Sequence, residues 1–189
     1  ERCELLDGQP TCLPETFSSC WLTNSRHYHT FDGKDFDFVG SCSYILSTSC
    51  STSGATTSPP FSVVARNQDG GNLRASDLHS VVVQVYDLTI VAVKGEKGLV
   101  RVNHHLSHLP ISLANGKLHL QQKGKSFLLQ TDFKLKLLYN WEDHVLLKVP
   151  SKLSNHVCGL CGNANGDPWD DTSMANGELA EDIVELAQS

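Results

Sequence analysis

Apolar and polar positions alternate in short runs along most of this chain, the period of strands with one buried face. The runs "FSVVARNQ", "SVVVQVYDLTIVAVKG", "GLVRVNHHL", "GKLHLQQKG", "SFLLQTDFKLKLLYN" and "HVLLKVP" mix β-branched or aromatic residues with polar ones. The stretches "GEKG", "ANGK", "QKGK" and "NWED" separate several of them and are rich in turn residues. Earlier, "HYHTFDGKDFDFVG" sets Asp32-Gly33 between two alternating runs. That pattern predicts a hairpin, with Phe36 and Phe38 on one face and Asp35 and Asp37 on the other. "SYILS" predicts the next strand, and "STSCSTSGATTSPP" a polar surface loop. A helical period occurs only in "GELAEDIVELAQ", where Leu179, Ile183, Leu186 and Ala187 share one face. The pattern predicts an all-β fold, an antiparallel two-sheet β-sandwich with a short C-terminal helix.

Composition narrows the function classes. The 189 residues suit one large domain, or a domain with a small appendage. Residues 1–19 have little apolar periodicity and read as the tail of a small disulfide-stapled module. Glu1 is not an initiator and no signal peptide opens the chain, so a fragment or mature piece is expected. A formal net charge of −6 with scattered lysines argues against nucleic acid. No apolar run reaches the length of a transmembrane segment. No G-x-S-x-G and no phosphate-binding glycine loop is present, so no enzyme is expected. No Asn-x-Ser/Thr acceptor for N-glycans occurs either.

The seven cysteines fall into three groups: Cys3, Cys12 and Cys20; Cys42 and Cys50; Cys158 and Cys161. None lies between Cys50 and Cys158. That distribution suits disulfides tying the two ends of a β core in an oxidising compartment, and the odd count leaves at least one cysteine without a partner in this chain. A zinc site would need two close pairs, and one CxxC is present.

The stretch "CGLCGNANGDPWDD" joins that pair to a set of oxygen donors. Asn163, Asn165 and Asp167 stand at alternate positions around Gly166, and Asp170 and Asp171 follow. Calcium loops use alternate oxygen ligands, a glycine at the bend and acidic residues to close the shell. The spacing is not that of an EF-hand, and calcium needs six to eight oxygens, so another segment must contribute. Asp32, in the other Asp-Gly turn, is a candidate by residue type. The competing reading is an Asn/Gly/Asp-rich turn without an ion. CxxC also invites a thioredoxin-like redox pair, but that chemistry belongs beside a βαβ unit, which this pattern lacks.

Taken together, "YHTFDGKDFDFVGSCSYIL" and "VCGLCGNANGDPWDD", with "LVRVNHHLSHLP" and "LKLLYNWEDHVLLKVPS" between them, resemble the von Willebrand factor type D family. The flavour is that of its mucus and matrix members. The resemblance divides the chain into a cysteine-rich linker tail at 1–19, the domain at 20–175, and a helical segment at 176–189 leading to an absent eight-cysteine module. It implies a Ca2+ ion held by Asp32, Asn163, Asn165, Asp170 and Asp171, with Asp167 giving its backbone carbonyl. It implies bridges Cys20–Cys161, Cys50–Cys158 and Cys3–Cys12, with Cys42 unpaired here because its partner belongs to the absent module. Two departures stand out. Where many members carry Gly-Asp-Pro-His, this chain reads Asn24-Ser25-Arg26-His27, so no self-cleavage is expected there. Asn165 replaces an aspartate found in some relatives, which removes one negative charge from the site.

The other histidines and tryptophans have plainer readings. His104, His105 and His108 invite zinc but lack a carboxylate or cysteine beside them, and read as an exposed loop. His27 and His29 share a strand face and read as partly buried. Trp21, Trp141 and Trp169 read as core or turn anchors. The expected function is a calcium-binding assembly module of a large secreted extracellular glycoprotein. Its partners would be neighbouring domains of the same chain and homotypic contacts. The alternative is an adhesion module that binds an immunoglobulin, a gamete coat or a cell-surface glycoprotein. A weaker alternative is disulfide exchange by the CGLC pair during assembly.

Overall fold

A computed structural model of the chain describes residues 2–6, 9–13, 15–50, 58–69 and 76–171. In chain order the strands are β1 (Arg2–Leu6), β2 (Gln9–Leu13), β3 (Phe17–Thr23), β4 (His27–His29), β5 (Asp35–Asp37), β6 (Ser43–Ser49), β7 (Phe61–Asp69), β8 (Ser76–Val85) and β9 (Leu88–Val93). They continue as β10 (Leu99–Val102), β11 (His105–His108), β12 (Ile111–Leu113), β13 (Leu118–Lys123), β14 (Ser126–Thr131), β15 (Lys136–Tyr139), β16 (Val145–Pro150) and β17 (Val157–Cys158). One sheet runs β11-β10-β9-β8-β7-β6-β17, and the other β12-β13-β14-β15-β16-β3-β4-β5. The paired neighbours are antiparallel, so the fold is the expected all-β two-sheet sandwich.

The period-two pattern explains the core. Leu118 and Leu120, Phe127 and Leu129, Leu137 and Tyr139, and Val145, Leu147 and Val149 point inward from one sheet. Val63 and Ala65, Val81 and Val83, and Ile90 and Ala92 answer from the other. Trp141 is fully buried among them, and its indole N–H donates to the Leu99 carbonyl at 3.2 Å.

Three runs that read as single stretches each fold into two strands. "SVVVQVYDLTIVAVKG" turns at Tyr86-Asp87 and "GLVRVNHHL" at Asn103-His104, all four residues with positive φ. These are primed two-residue turns made without glycine, so their sequence gives little warning. "SFLLQTDFKLKLLYN" breaks between β14 and β15, where the Thr131 hydroxyl accepts from the Leu135 N–H at 3.1 Å.

Both sheets join the beginning of the chain to its end. β3 pairs with β16, and β6 pairs with β17. β3 begins at Phe17, inside the 1–19 segment assigned to the leading module. Ahead of it, β1 and β2 form a separate hairpin in which Cys3 stands opposite Cys12. The Cys3–Cys12 bridge rests on side chains outside the described set. The C-terminal helix expected within 176–189 also lies outside the described residues. Among those residues no helix is long and apolar enough to cross a membrane.

Candidate metal centre

The β4–β5 turn is built by Thr30. Its hydroxyl accepts from the Lys34 N–H at 2.9 Å, and its N–H donates to the Lys34 carbonyl at 2.9 Å. This presents Asp32 at the tip, with Gly33 at φ +95° completing the bend. The next residue along, Phe31, donates its N–H to the Cys161 carbonyl at 2.9 Å, which ties the turn to the closing loop.

The closing loop is anchored from the other side. Leu160 and Cys161 donate their N–H groups to the carbonyls of Ile45 and Leu46 at 3.0 and 2.8 Å. Gly159 makes this approach possible: its φ is +120°, and a β-carbon there would stand 2.9 Å from both carbonyl oxygens. Disulfides join Cys20 to Cys161 and Cys50 to Cys158, across 141 and 108 residues of chain. Cys42 is unbridged and exposed. The disulfide-exchange reading needs Cys158 bonded to Cys161, and the structure bonds each to a distant cysteine instead.

These anchors bring the oxygen donors together. Asp32 accepts from the N–H groups of Gly166 and Asn165 at 2.7 and 3.1 Å. Asn163 Oδ1 accepts from the same Asn165 N–H at 3.1 Å. Asn165 donates its side-chain amide to Asp170 Oδ2 at 2.7 Å, and its Oδ1 accepts from the Asp167 N–H at 2.7 Å. The Asp167 carboxylate turns back to its own loop and accepts from the Trp169 N–H at 3.0 Å.

Asp171 lies deepest. It is 2% exposed, and its Oδ2 accepts from the Thr30 hydroxyl. Its Oδ1 has no hydrogen-bond partner. Burial, reinforced by the neighbouring Asp32 carboxylate and opposed by the Thr30 hydroxyl, pushes its pKa up to about 6. Gly162, at φ +81°, makes room for it, because a β-carbon there would run into the Asp171 carboxylate.

Sequence reading missed Thr30 and Gly162. Thr30 precedes the Asp-Gly pair by two residues, and nothing local shows that it will meet a residue 141 positions later. The histidine and tryptophan readings also meet the structure here. His104, His105 and His108 are exposed, and His27 and His29 are half-buried, bonded through Nδ1 to Asp37 and Asp35 at 2.5 Å. Trp141 is a core anchor, whereas Trp21 and Trp169 are exposed.

The sequence pattern of the von Willebrand factor type D domain matches residues 20–178. The chain belongs to that family. This VWD sequence is similar to segments of IgGFc-binding protein from Homo sapiens, 39% identical over all 189 residues, and of alpha-tectorin from Homo sapiens, 37% identical over all 189. Zonadhesin from Oryctolagus cuniculus is 36% identical across the whole chain. This VWD chain spans 4%, 9% and 8% of those relatives' lengths, so they are far longer than the piece that matches.

The donor set of this VWD domain fits a hard cation. It is made of carboxylate and amide oxygens, the chemistry of calcium and not of zinc or copper. Among the described residues no three His, Cys, Asp or Glu side chains gather closely enough to form a metal site by themselves. The amide oxygens of Asn163 and Asn165 and backbone carbonyls would therefore have to complete any shell. A buried carboxylate with an unpartnered oxygen, set against a second carboxylate, is the electrostatic situation that a bound cation relieves.

Proposed function

We propose that this VWD domain is a calcium-stabilised, non-enzymatic assembly module of a large secreted multidomain glycoprotein of mucus or extracellular matrix. The observation that carries the reading is Asp171, buried beside Asp32 with one oxygen unpartnered. Asp32, Asn163, Asn165, Asp170 and Asp171 would supply side-chain oxygens and Asp167 its backbone carbonyl. The ion would cross-link the opening hairpin to the closing loop, beside the Cys20–Cys161 bridge that already holds them together. Residues 1–19 would end a leading cysteine-rich module, 20–175 form the domain, and 176–189 lead on to an eight-cysteine module. Partners would be neighbouring domains and further copies of the same protein.

The test is thermal melting in millimolar calcium and in chelator. At a calcium concentration ~10 times the dissociation constant the gain is about 1.4 kcal/mol. For a chain of this size that is a rise of about 3–6 °C. Asp170→Ala lowers the melting temperature in calcium and leaves the chelated value nearly unchanged. Identical melting curves in the two buffers would sink the proposal.

A second reading, adhesion to an extracellular protein partner, has one observation in its favour. Trp169 is 85% exposed on the same loop, an apolar anchor of the kind that dominates interfaces. Capture of immunoglobulin or a cell-surface glycoprotein by the wild type and not by Trp169→Ala would support it. Equal capture by both would remove it.

A further inference from the structure

We infer that Asn115-Gly116 is a site of spontaneous deamidation, and that the same pair in the donor loop, Asn165-Gly166, is held against it by its hydrogen bonds. The chain writes Ala-Asn-Gly at 114–116 and again at 164–166. A third copy, at 175–177, lies outside the described residues. In such a pair the backbone nitrogen of glycine attacks the side-chain carbonyl carbon of asparagine. The N–H proton passes to water, ammonia leaves, and a five-membered succinimide forms. Water then opens the ring at either carbonyl and gives aspartate or isoaspartate. The net change is amide plus water to carboxylate plus ammonium. Glycine favours the attack because no side chain shields its nitrogen.

The two described copies match in most respects. Both asparagines are exposed. Both alanines have positive φ, 51° at Ala114 and 60° at Ala164. Both glycines have positive φ and open space where a β-carbon would stand. Solvent access and the tripeptide itself therefore do not separate them, and hydrogen bonding does. Asn165 donates its amide to Asp170 Oδ2, and its Oδ1 accepts from the Asp167 N–H, both at 2.7 Å. The Gly166 nitrogen, which would be the nucleophile, donates to Asp32 Oδ1 at 2.7 Å. Closing the ring means rotating the side chain off both partners and drawing the nitrogen away from the carboxylate. Three bonds break before the reacting atoms can align.

Asn115 lacks these ties. Among the described residues its side chain has no hydrogen-bond partner. It stands at φ 55° and ψ 40° in a short turn closed by the Lys117 N–H on the Ala114 carbonyl at 3.2 Å. Asparagine visits that conformation readily, and it leaves without breaking a side-chain bond to any other segment. Conversion there adds one negative charge to a chain of net charge −6. Isoaspartate also lengthens the backbone by one carbon in the turn between β12 and β13. β12 is an edge strand held by three residue pairs, so the sheet loosens there first.

The hydrogen bonds at Asn165 are those of the ion-free loop, so the inference does not rest on the calcium reading and is tested in chelator. The full 189-residue chain is aged in mildly alkaline buffer, and peptide mapping by mass spectrometry follows each site. In the folded chain Asn115 converts at least about tenfold faster than Asn165, because ring closure at Asn165 has to break three hydrogen bonds together. In denaturing urea, where local sequence alone acts, the two rates come together. Asp32→Ala frees the Gly166 nitrogen and speeds conversion at 165, with Asn115 unmoved. Asp170→Ala, which releases the amide alone, does the same and serves where the first variant does not fold. Asn115 staying intact in the folded chain while it converts in urea overturns the inference. So does Asn165 keeping pace with Asn115 in the folded chain, or a slow Asn165 indifferent to both substitutions in variants that keep the wild-type circular dichroism.

Discussion

At the scale of single residues, Asp171 carries a charge in a place that disfavours charge. Its desolvation is offset only in part by the Thr30 hydroxyl and the Asn163 backbone, and Asp32 adds repulsion. Asp171→Asn therefore removes a cost in the ion-free protein while also removing a ligand. The expected outcome is a melting temperature in chelator equal to or above the wild type, and loss of the calcium-dependent gain. A chelated melting temperature well below the wild type would show that Asp171 acts through its hydrogen bond alone. Gly162 is a separate case. Its positive φ and the carboxylate beside it leave no room for a side chain. Gly162→Ala should cost at least about 2 kcal/mol in urea unfolding, with or without the ion. From spacing alone, the alternate Asn163, Asn165 and Asp167 read as a cation-binding loop or as an ion-free turn, and the sequence left both open. Thr30 and Gly162 were not legible, because each acquires its role only when residue 171 arrives from the far end of the chain.

At the scale of elements, two features set the geometry. The first is turn chemistry. Asp32-Gly33 announces its hairpin because glycine tolerates the bend, whereas Tyr86-Asp87 and Asn103-His104 reach the same left-handed conformations without one. Those strand pairs read as unbroken runs for that reason. Asp87→Gly should relieve backbone strain at φ +60° and stabilise the domain by about 0.5 kcal/mol in urea unfolding. It spares the Tyr86 hydroxyl, which donates to Asp132 across the two sheets. The second feature is the bridge between β3 and the closing loop. Closing 141 residues of chain gives an entropic ceiling of about 5 kcal/mol, and measured losses on removing native bridges are about 2–5 kcal/mol. Cys20→Ala/Cys161→Ala should fall in that range by chemical unfolding. It should also weaken calcium binding in calorimetry, since the ion must then gather both segments itself. Cysteine spacing alone left the pairing open. The structure shows it: Cys20 is bonded to Cys161, and Cys158, whose strand β17 pairs with β6, is bonded to Cys50 just beyond β6.

At the scale of the whole molecule, the sandwich is closed at both sheets by its own ends, and the cluster of oxygen donors sits at that closure. The alternation of apolar and polar residues made the two-sheet class legible, since a half-buried strand can be written in few other ways. The closure was not legible from pattern, because pairing between residue 20 and residue 147 leaves no local trace. The central claim is that the turn carrying Asp32 and the loop carrying Asn163 to Asp171 hold one ion between them. Its most direct test is a crystal structure grown at saturating calcium. The claim predicts a cation peak about 2.3–2.6 Å from oxygens of both Asp32 and Asp171, with Asn163 and Asn165 in the shell. Well-ordered density for both segments with no peak between them would contradict it.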